Sequence, residues 1–163
     1  MAFDPDLKLQ YASIYLLKRM DLKPEEGGLV MPILMPPELA PLEDVMQELV
    51  NLDYVAMNKK KERYELTKPG IAYIGELIDE AEALVEEFDE LELEEAVAEL
   101  RRRNLDVFRA RFLWGWYDGE FDDLVAFQQR RGVAPVERMW AYYLMSDAFW
   151  DALLKDTGEA ALN

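Results

Sequence analysis

The segment from Tyr54 to Gly70, YVAMNKKKERYELTKPG, contains three local structural signals and constrains the fold more than any other part of the chain. The runs YVAMN and RYELT are rich in residues typical of strands, and the polar run KKKE joins them. Thr67 fits a helix N-cap, and Pro69 fits the first helical turn because an N–H there has no helical partner. The segment therefore predicts a β-hairpin with a basic tip that leads directly into a helix.

Two helical patterns precede the hairpin. Asp4 fits an N-cap and Pro5 fits the first helical position, so we expect a helix from about residue 5 to 20. The run LVMPILMPP contains three prolines, which forbid a regular helix and favour a short edge strand or an extended connector. Residues 41–52 have apolar positions at helical spacing and predict a second helix.

Helical patterns also fill the chain after Thr67. Apolar residues recur three and four apart from Ile71 to Phe88, with Leu77 beside this stripe, and predict a long helix. The pattern slips at residues 90–93, where we expect a break, and then predicts one helix up to about residue 113. The runs FDDLVAFQQRRG and APVERMWAYYLMSDAFWDALLKD predict two further helices.

These patterns predict a mainly α protein with a small β-hairpin. They divide the chain into residues 1–75, a helical segment over residues 76–113, and a helical subdomain over residues 114–163. The last part is aromatic-rich, because ten of the nineteen aromatic residues lie in it and two more, Phe108 and Phe112, lie just before it. Core packing and a dimer interface both favour such residues, and a pocket for a planar ligand is a weaker alternative.

The negative charge of the chain is concentrated in one segment. The chain has 34 acidic and 18 basic residues and a formal net charge of −16. Residues 76–99 contain twelve acidic residues and no basic residue, and these fall mostly opposite the apolar stripe. This pattern indicates a solvated helix face. The arginines that follow, from Arg101 to Arg111, are expected to pair with these carboxylates within the chain or across a dimer, which we favour over a nucleic-acid surface.

The composition excludes several kinds of catalytic and metal-binding chemistry. The chain has no cysteine and no histidine, so it has no disulfide, no thiolate nucleophile and no histidine general base or metal ligand. A Gly-rich phosphate loop is absent. We therefore expect a protein that is not an enzyme and that has no cofactor and no metal. No apolar run is long enough to span a membrane and the N-terminus does not resemble a secretory signal, so we expect a cytoplasmic protein with no membrane partner.

The order helix, extended segment, helix, hairpin, helix resembles the winged helix-turn-helix domain of MarR- and PadR-like regulators over about residues 5–90. In those families a helix ends in a hydrophobic–Gly–hydrophobic turn, which corresponds here to LDYV with Asp53 in the glycine position. A basic hairpin and a Y-x-L-T-x-x-G element follow in those families, matched here by Tyr64, Leu66, Thr67 and Gly70. The C-terminal part resembles no particular family.

The resemblance implies a recognition helix over residues 41–52 and a wing in the hairpin. With its apolar positions turned inward, this helix would present an outward face that is acidic rather than basic, and no Lys or Arg lies between Glu38 and Asp53. Affinity for DNA comes largely from neutralised phosphates, so this face disfavours DNA binding. Its residues are Glu43, Asp44, Gln47, Glu48 and Asn51, followed by Asp53.

Two functions follow as hypotheses. The first is a regulatory or adaptor protein that uses its winged-helix domain for contacts with a protein partner and forms a homodimer. Residues expected in the core or dimer interface are Ile74, Ile78, Val85, Phe88, Trp140, Tyr143 and Trp150. The alternative is a DNA-binding transcriptional regulator, in which Lys59, Lys60, Lys61 and Arg63 contact phosphates while Gln47 and Asn51 read base edges.

Overall fold

The computed structural model describes residues 4–23, 28, 30–118 and 140–157. These residues are mainly helical and include one small antiparallel sheet, as the sequence predicts. The α-helices are, in chain order, α1 (Pro5–Asp21), α2 (Glu43–Asn51), α3 (Lys68–Phe88), α4 (Leu93–Arg102), α5 (Val107–Asp118), α6 (Trp140–Leu144) and α7 (Asp147–Asp156). The strands are β1 (Val55–Asn58) and β2 (Arg63–Leu66), paired with Val55 opposite Leu66 and Asn58 opposite Arg63.

Helix α1 begins and ends close to the predicted positions. The Asp4 side chain accepts a hydrogen bond from the backbone N–H of Asp6 at 2.9 Å, and Pro5 occupies the first helical position. All seven residues from Tyr11 to Leu17 are buried, so this stretch of nearly two turns is covered on all sides.

The proline-rich segment forms an extended edge and then a tight helix. Pro32 makes an antiparallel bridge with Arg63, so this short stretch lies beside β2 as predicted for an edge strand. The sequence prediction of one helix over residues 41–52 is wrong at its start, because Pro37–Leu42 forms a 3-10 helix and α2 begins only at Glu43. Prolines within the segment lack the N–H groups that an α-helical ladder needs, and a 3-10 turn is the remaining compact conformation.

The α3–α4 break is confirmed, but a second break was missed. The prediction of one helix up to residue 113 is wrong, because α4 ends at Arg102 and α5 runs from Val107 to Asp118. Asn104 adopts a φ of 58°, and Leu105 N donates to Leu100 O at 3.0 Å. This is a Schellman motif that ends α4. Asparagine is suited to its left-handed position because it tolerates that conformation.

The C-terminal prediction also needs a correction. Within the described residues, the single helix expected to run to residue 156 is interrupted between Leu144 and Asp147. Ser146 caps α7, since its hydroxyl accepts a hydrogen bond from Phe149 N at 3.4 Å. The helix predicted from FDDLVAFQQRRG lies outside the described residues.

One main core joins the elements. Helices α1, α2, α3, α5, α6 and α7 all contribute buried side chains to it, and a smaller cluster lies between α3, α4 and α5. The apolar stripe of α3 is rotated from its predicted position: Ile71 is 54% exposed, whereas Leu77 is buried. Among the described aromatic residues of the C-terminal part, Trp116, Phe149 and Trp150 are buried in the core, whereas Tyr142 is exposed. Trp150 stacks on Phe112 with ring centroids 6.0 Å apart.

Candidate functional site

Helix α2 separates an apolar inner face from an acidic outer face. Val45, Met46 and Leu49 are fully buried. The outer face of α2 consists of the exposed Glu43, Asp44, Gln47 and Asn51 with the half-buried Glu48, and the exposed Asp53 follows it.

The two amides of the outer face bond to each other. Gln47 Nε2 donates a hydrogen bond to Asn51 Oδ1 at 3.0 Å. This bond uses one of the two N–H donors of Gln47 and one of the two lone pairs of the Asn51 oxygen, so Gln47 keeps the donor and the acceptor that a bidentate contact with an adenine edge requires. The bond holds the two side chains together on the outer face of α2 and does not decide between the two hypotheses.

The cations of the hairpin are partly neutralised by Glu65. Its carboxylate lies 3.7 Å from Lys61 Nζ and 3.3 Å from Arg63 Nε, and it accepts a hydrogen bond from Asn58 Nδ2 at 2.9 Å. Partial desolvation raises the pKa of Glu65, but the hydrogen bonds from Arg63 and Asn58 and the charge of Lys61 outweigh it and lower the pKa overall. Glu65 thus remains charged and reduces the positive charge of the tip.

Lys59 and Lys60 differ from the other two cations of the hairpin. Both side chains are exposed, and within the described part of the chain neither forms an ion pair. These two lysines are the cations of the tip that can meet an anionic partner without losing an existing partner.

Hydrogen bonds between the end of α2 and the start of α3 fix the outer face of α2 relative to α3. Asp53 has a φ of 65°, and Tyr54 N donates to Leu49 O at 3.0 Å, so α2 ends in a Schellman motif with Asp53 at the left-handed position. Thr67 Oγ1 donates to Asp53 O at 2.5 Å and accepts from Gly70 N at 3.1 Å. The same threonine therefore caps α3 and ties it to the end of α2.

A groove lies beside the outer face of α2, between this helix and α1. It consists of two adjoining pockets of about 480 Å³ and 490 Å³ that share Asp6, Leu9 and Glu48. Apolar side chains line the first pocket, together with the aromatic pair Tyr54 and Tyr73, whose rings stack at 4.5 Å. Further polar and charged lining comes from Lys8, Gln10, Asp44, Gln47 and Asn51.

Lys8 is the one cation in the described lining of the two pockets, and it is already paired. Lys8 Nζ lies 2.5 Å from Asp147 Oδ1 and donates to Met145 O at 3.2 Å. The carboxylates of Asp6, Asp44 and Glu48 therefore set the charge of the groove.

The arginines after the acidic segment pair within the chain. Arg109 binds Glu80 through two hydrogen bonds of 2.8 and 3.0 Å and joins α5 to α3. Arg103 pairs with Glu87 and Glu99, and it joins the end of α4 to α3. These contacts use part of the charge that a nucleic-acid surface or a dimer contact would need.

The residues predicted for the core or a dimer interface fall into three groups. Ile74, Phe88 and Trp150 are buried inside the chain, whereas Ile78 and Val85 are half-buried. The side chains of Trp140 and Tyr143 lie outside the described part of the structure.

Sequence reasoning missed Glu65 and the groove. The signal for Glu65 was present, because a glutamate two residues from Arg63 on one strand shares a sheet face with it. The groove had no comparable signal, since Leu9 and Leu52 line the same pocket but are far apart in sequence.

No protein-family model matches the chain, and no curated protein and no solved structure was found to match it. None of the helices in the described residues is long and apolar enough to cross a membrane.

Proposed function

We propose that this chain is a cytoplasmic, non-enzymatic regulatory or adaptor protein. In this proposal residues 1–75 form a winged helix-turn-helix domain that binds a protein partner through the outer face of α2, and the chain forms a homodimer.

The winged-helix assignment is supported by the element order and by two details. The bridge between Pro32 and Arg63 places an extended segment beside β2, next to the hairpin. Asp53 takes the left-handed conformation at the position where the resembling families have glycine.

The acidic outer face of α2 carries the functional proposal. In a winged-helix domain this face would meet the major groove of DNA, where cationic side chains that neutralise phosphates supply much of the affinity. Glu43, Asp44 and Glu48 instead present negative charge, and helix α2 contains no basic residue. A face of this kind repels a polyanion and attracts a basic protein surface.

Exposed apolar residues support the homodimer. Leu91, Leu93 and Leu105 are all more than one-third exposed and lie in the loops and helix ends between α3 and α5. Contiguous exposed apolar patches are a feature of protein–protein contact surfaces, and in this proposal the three leucines form part of such a patch.

Lys59 and Lys60 favour the second candidate, a DNA-binding regulator that contacts phosphates through its wing. If this candidate were right, the triple variant Lys59→Ala, Lys60→Ala, Lys61→Ala would weaken DNA binding and flatten its salt dependence.

The two candidates are separated by a low-salt assay with genomic DNA fragments, run beside light scattering. We expect a dimer and no duplex binding by the unmodified protein. Salt-sensitive duplex binding that is lost when the outer face of α2 is substituted would contradict the proposal, whereas binding lost only in the triple lysine variant would establish the wing-based candidate.

A further inference from the structure

We infer that the groove between α1 and α2 binds a basic amphipathic helix of a partner protein. This inference rests on the proposed function and specifies the chemistry of the partner.

The size of the groove fits a short helix. The accessible lining extends from Pro5 to Gln10 on α1 and from Asp44 to the C-cap Leu52 along α2. At about 1.5 Å per helical residue the longer wall corresponds to a groove roughly 12 Å long, which accommodates about two turns of a helix.

The walls of the groove favour a helical occupant over an extended one. Both walls are α-helices, so nearly all of their backbone N–H and C=O groups already bond within the helix. An extended segment would find no strand edge there to satisfy its own backbone, whereas a helix satisfies its backbone internally.

The lining indicates which faces the occupant must have. The accessible apolar floor consists of Leu9, which is half-buried, and Leu52, which is 47% exposed. Such a floor matches an apolar helix face with residues spaced three and four apart.

The rim and the aromatic wall select positive charge. Asp6, Asp44 and Glu48 border the groove, and Lys8 is held by Asp147. The stacked rings of Tyr54 and Tyr73 add a surface on which a guanidinium or ammonium group is favoured. Lysine and arginine residues flanking the apolar face of the occupant would therefore be attracted at both edges.

The test uses a fluorescein-labelled synthetic peptide of about fourteen residues, with leucines on one helical face and lysine and arginine on the other. Fluorescence anisotropy at low salt measures its affinity for the full chain. A second peptide of identical composition, with leucines distributed around the helix, tests whether the apolar face matters. We expect the amphipathic peptide to bind at least about tenfold more tightly than the second peptide.

Two charge-reversal variants locate the site. Asp44→Lys with Glu48→Lys alters the groove, whereas Glu86→Lys with Glu90→Lys alters exposed residues that are not in its lining. Both change the net charge equally, so non-specific attraction falls equally in the two proteins. We expect affinity to drop about tenfold or more in the first variant and less than about twofold in the second.

A matched pair of exposed aliphatic residues tests the apolar floor. Leu52 in the groove and Ile71 outside its lining are 47% and 54% exposed and have side chains of equal carbon number, so Leu52→Ala and Ile71→Ala remove similar exposed apolar surface. We expect Leu52→Ala to weaken peptide binding about fivefold and Ile71→Ala to leave it unchanged. Circular dichroism of each variant establishes that it is folded.

Equal binding of the two peptides, or equal effects of the two charge-reversal variants, would overturn the groove as the site. That result leaves the proposed function standing if the protein also fails to bind duplex DNA. Duplex binding that requires the outer face of α2 would instead overturn the proposed function itself.

Discussion

Replacing Gly70 with alanine tests the junction that positions α2 against α3. A Cβ added at Gly70 would lie 2.1 Å from the carbonyl oxygen of Tyr54, far inside the 3.4 Å at which ordinary contact begins. To relieve this clash, the start of α3 would have to move by about 1.3 Å, the difference between 3.4 and 2.1 Å. The movement is required because the oxygen that the Cβ meets belongs to the backbone and cannot rotate away as a side chain can.

Such a movement would also break a hydrogen bond. Thr67 N donates to the same Tyr54 oxygen at 3.1 Å, and a shift of about 1 Å takes this pair beyond hydrogen-bond distance. Overpacking costs about 1–3 kcal/mol and the lost hydrogen bond about 1 kcal/mol, while the better helix propensity of alanine returns at most about 1 kcal/mol. The free energy of unfolding of Gly70→Ala should therefore fall by about 2 kcal/mol.

Gly75 in the same helix is the matched control. A Cβ there meets no atom within 4 Å, so Gly75→Ala should gain the helix propensity alone and stabilise the protein by about 0.5–1 kcal/mol. For a chain of this size, 1 kcal/mol corresponds to about 2–4 °C in Tm. Thermal unfolding followed by circular dichroism should therefore show Gly70→Ala about 4–8 °C below the unmodified protein and Gly75→Ala slightly above it. Equal Tm values for the two variants would refute the close contact between α3 and Tyr54.

Three further predictions concern contacts elsewhere in the chain. Thr67→Val keeps the side-chain shape but loses both bonds of the hydroxyl, so we expect a loss of about 1–2 kcal/mol in urea unfolding; a loss below about 0.3 kcal/mol would contradict the capping role. Hydrogen bonds from Arg102 and Arg103 lower the pKa of Glu99 from 4.5 to about 2. The stabilisation that these hydrogen bonds provide is therefore present above pH 4.5 and disappears as the pH falls towards 2. The stability difference between Glu99→Gln and the unmodified protein should shrink over that range, and a pH-independent difference would exclude the ion pairs as its cause. For the partly exposed pair Arg109 and Glu80, a double-mutant cycle with Arg109→Gln and Glu80→Gln should give a coupling free energy of about 1 kcal/mol, and a value near zero would mean that the pair does not hold α5 to α3.

Local signals predicted much of the fold because their causes lie within a few residues. Asp4 and Thr67 mark helix starts because their side chains accept hydrogen bonds from neighbouring backbone N–H groups. The same holds for the hairpin and for the break after Phe88. Asn104 and Ser146 were missed although they also act locally, because the apolar spacing continues across both positions and hides the interruption.

The candidate site was predicted in composition but not in shape. The alternation of apolar and acidic residues on α2 was enough to place Glu43 and Asp44 on its outer face, since a helix with a buried stripe must turn its remaining residues outward. The pairing of Glu65 with Lys61 and Arg63, which reduces the positive charge of the hairpin, was missed although strand alternation places Glu65 and Arg63 on one sheet face.

The sequence by itself determined the starts of α1 and α3, the hairpin and the acidic character of α2, because periodicity, capping residues and net charge are properties of neighbouring residues. Only the tertiary structure decided that Asp6 and Glu48 border one groove, that Lys8 is neutralised by Asp147, and that Gly70 must have no side chain. Each of these depends on a contact between residues far apart in the chain, and such contacts are set by how the whole core packs.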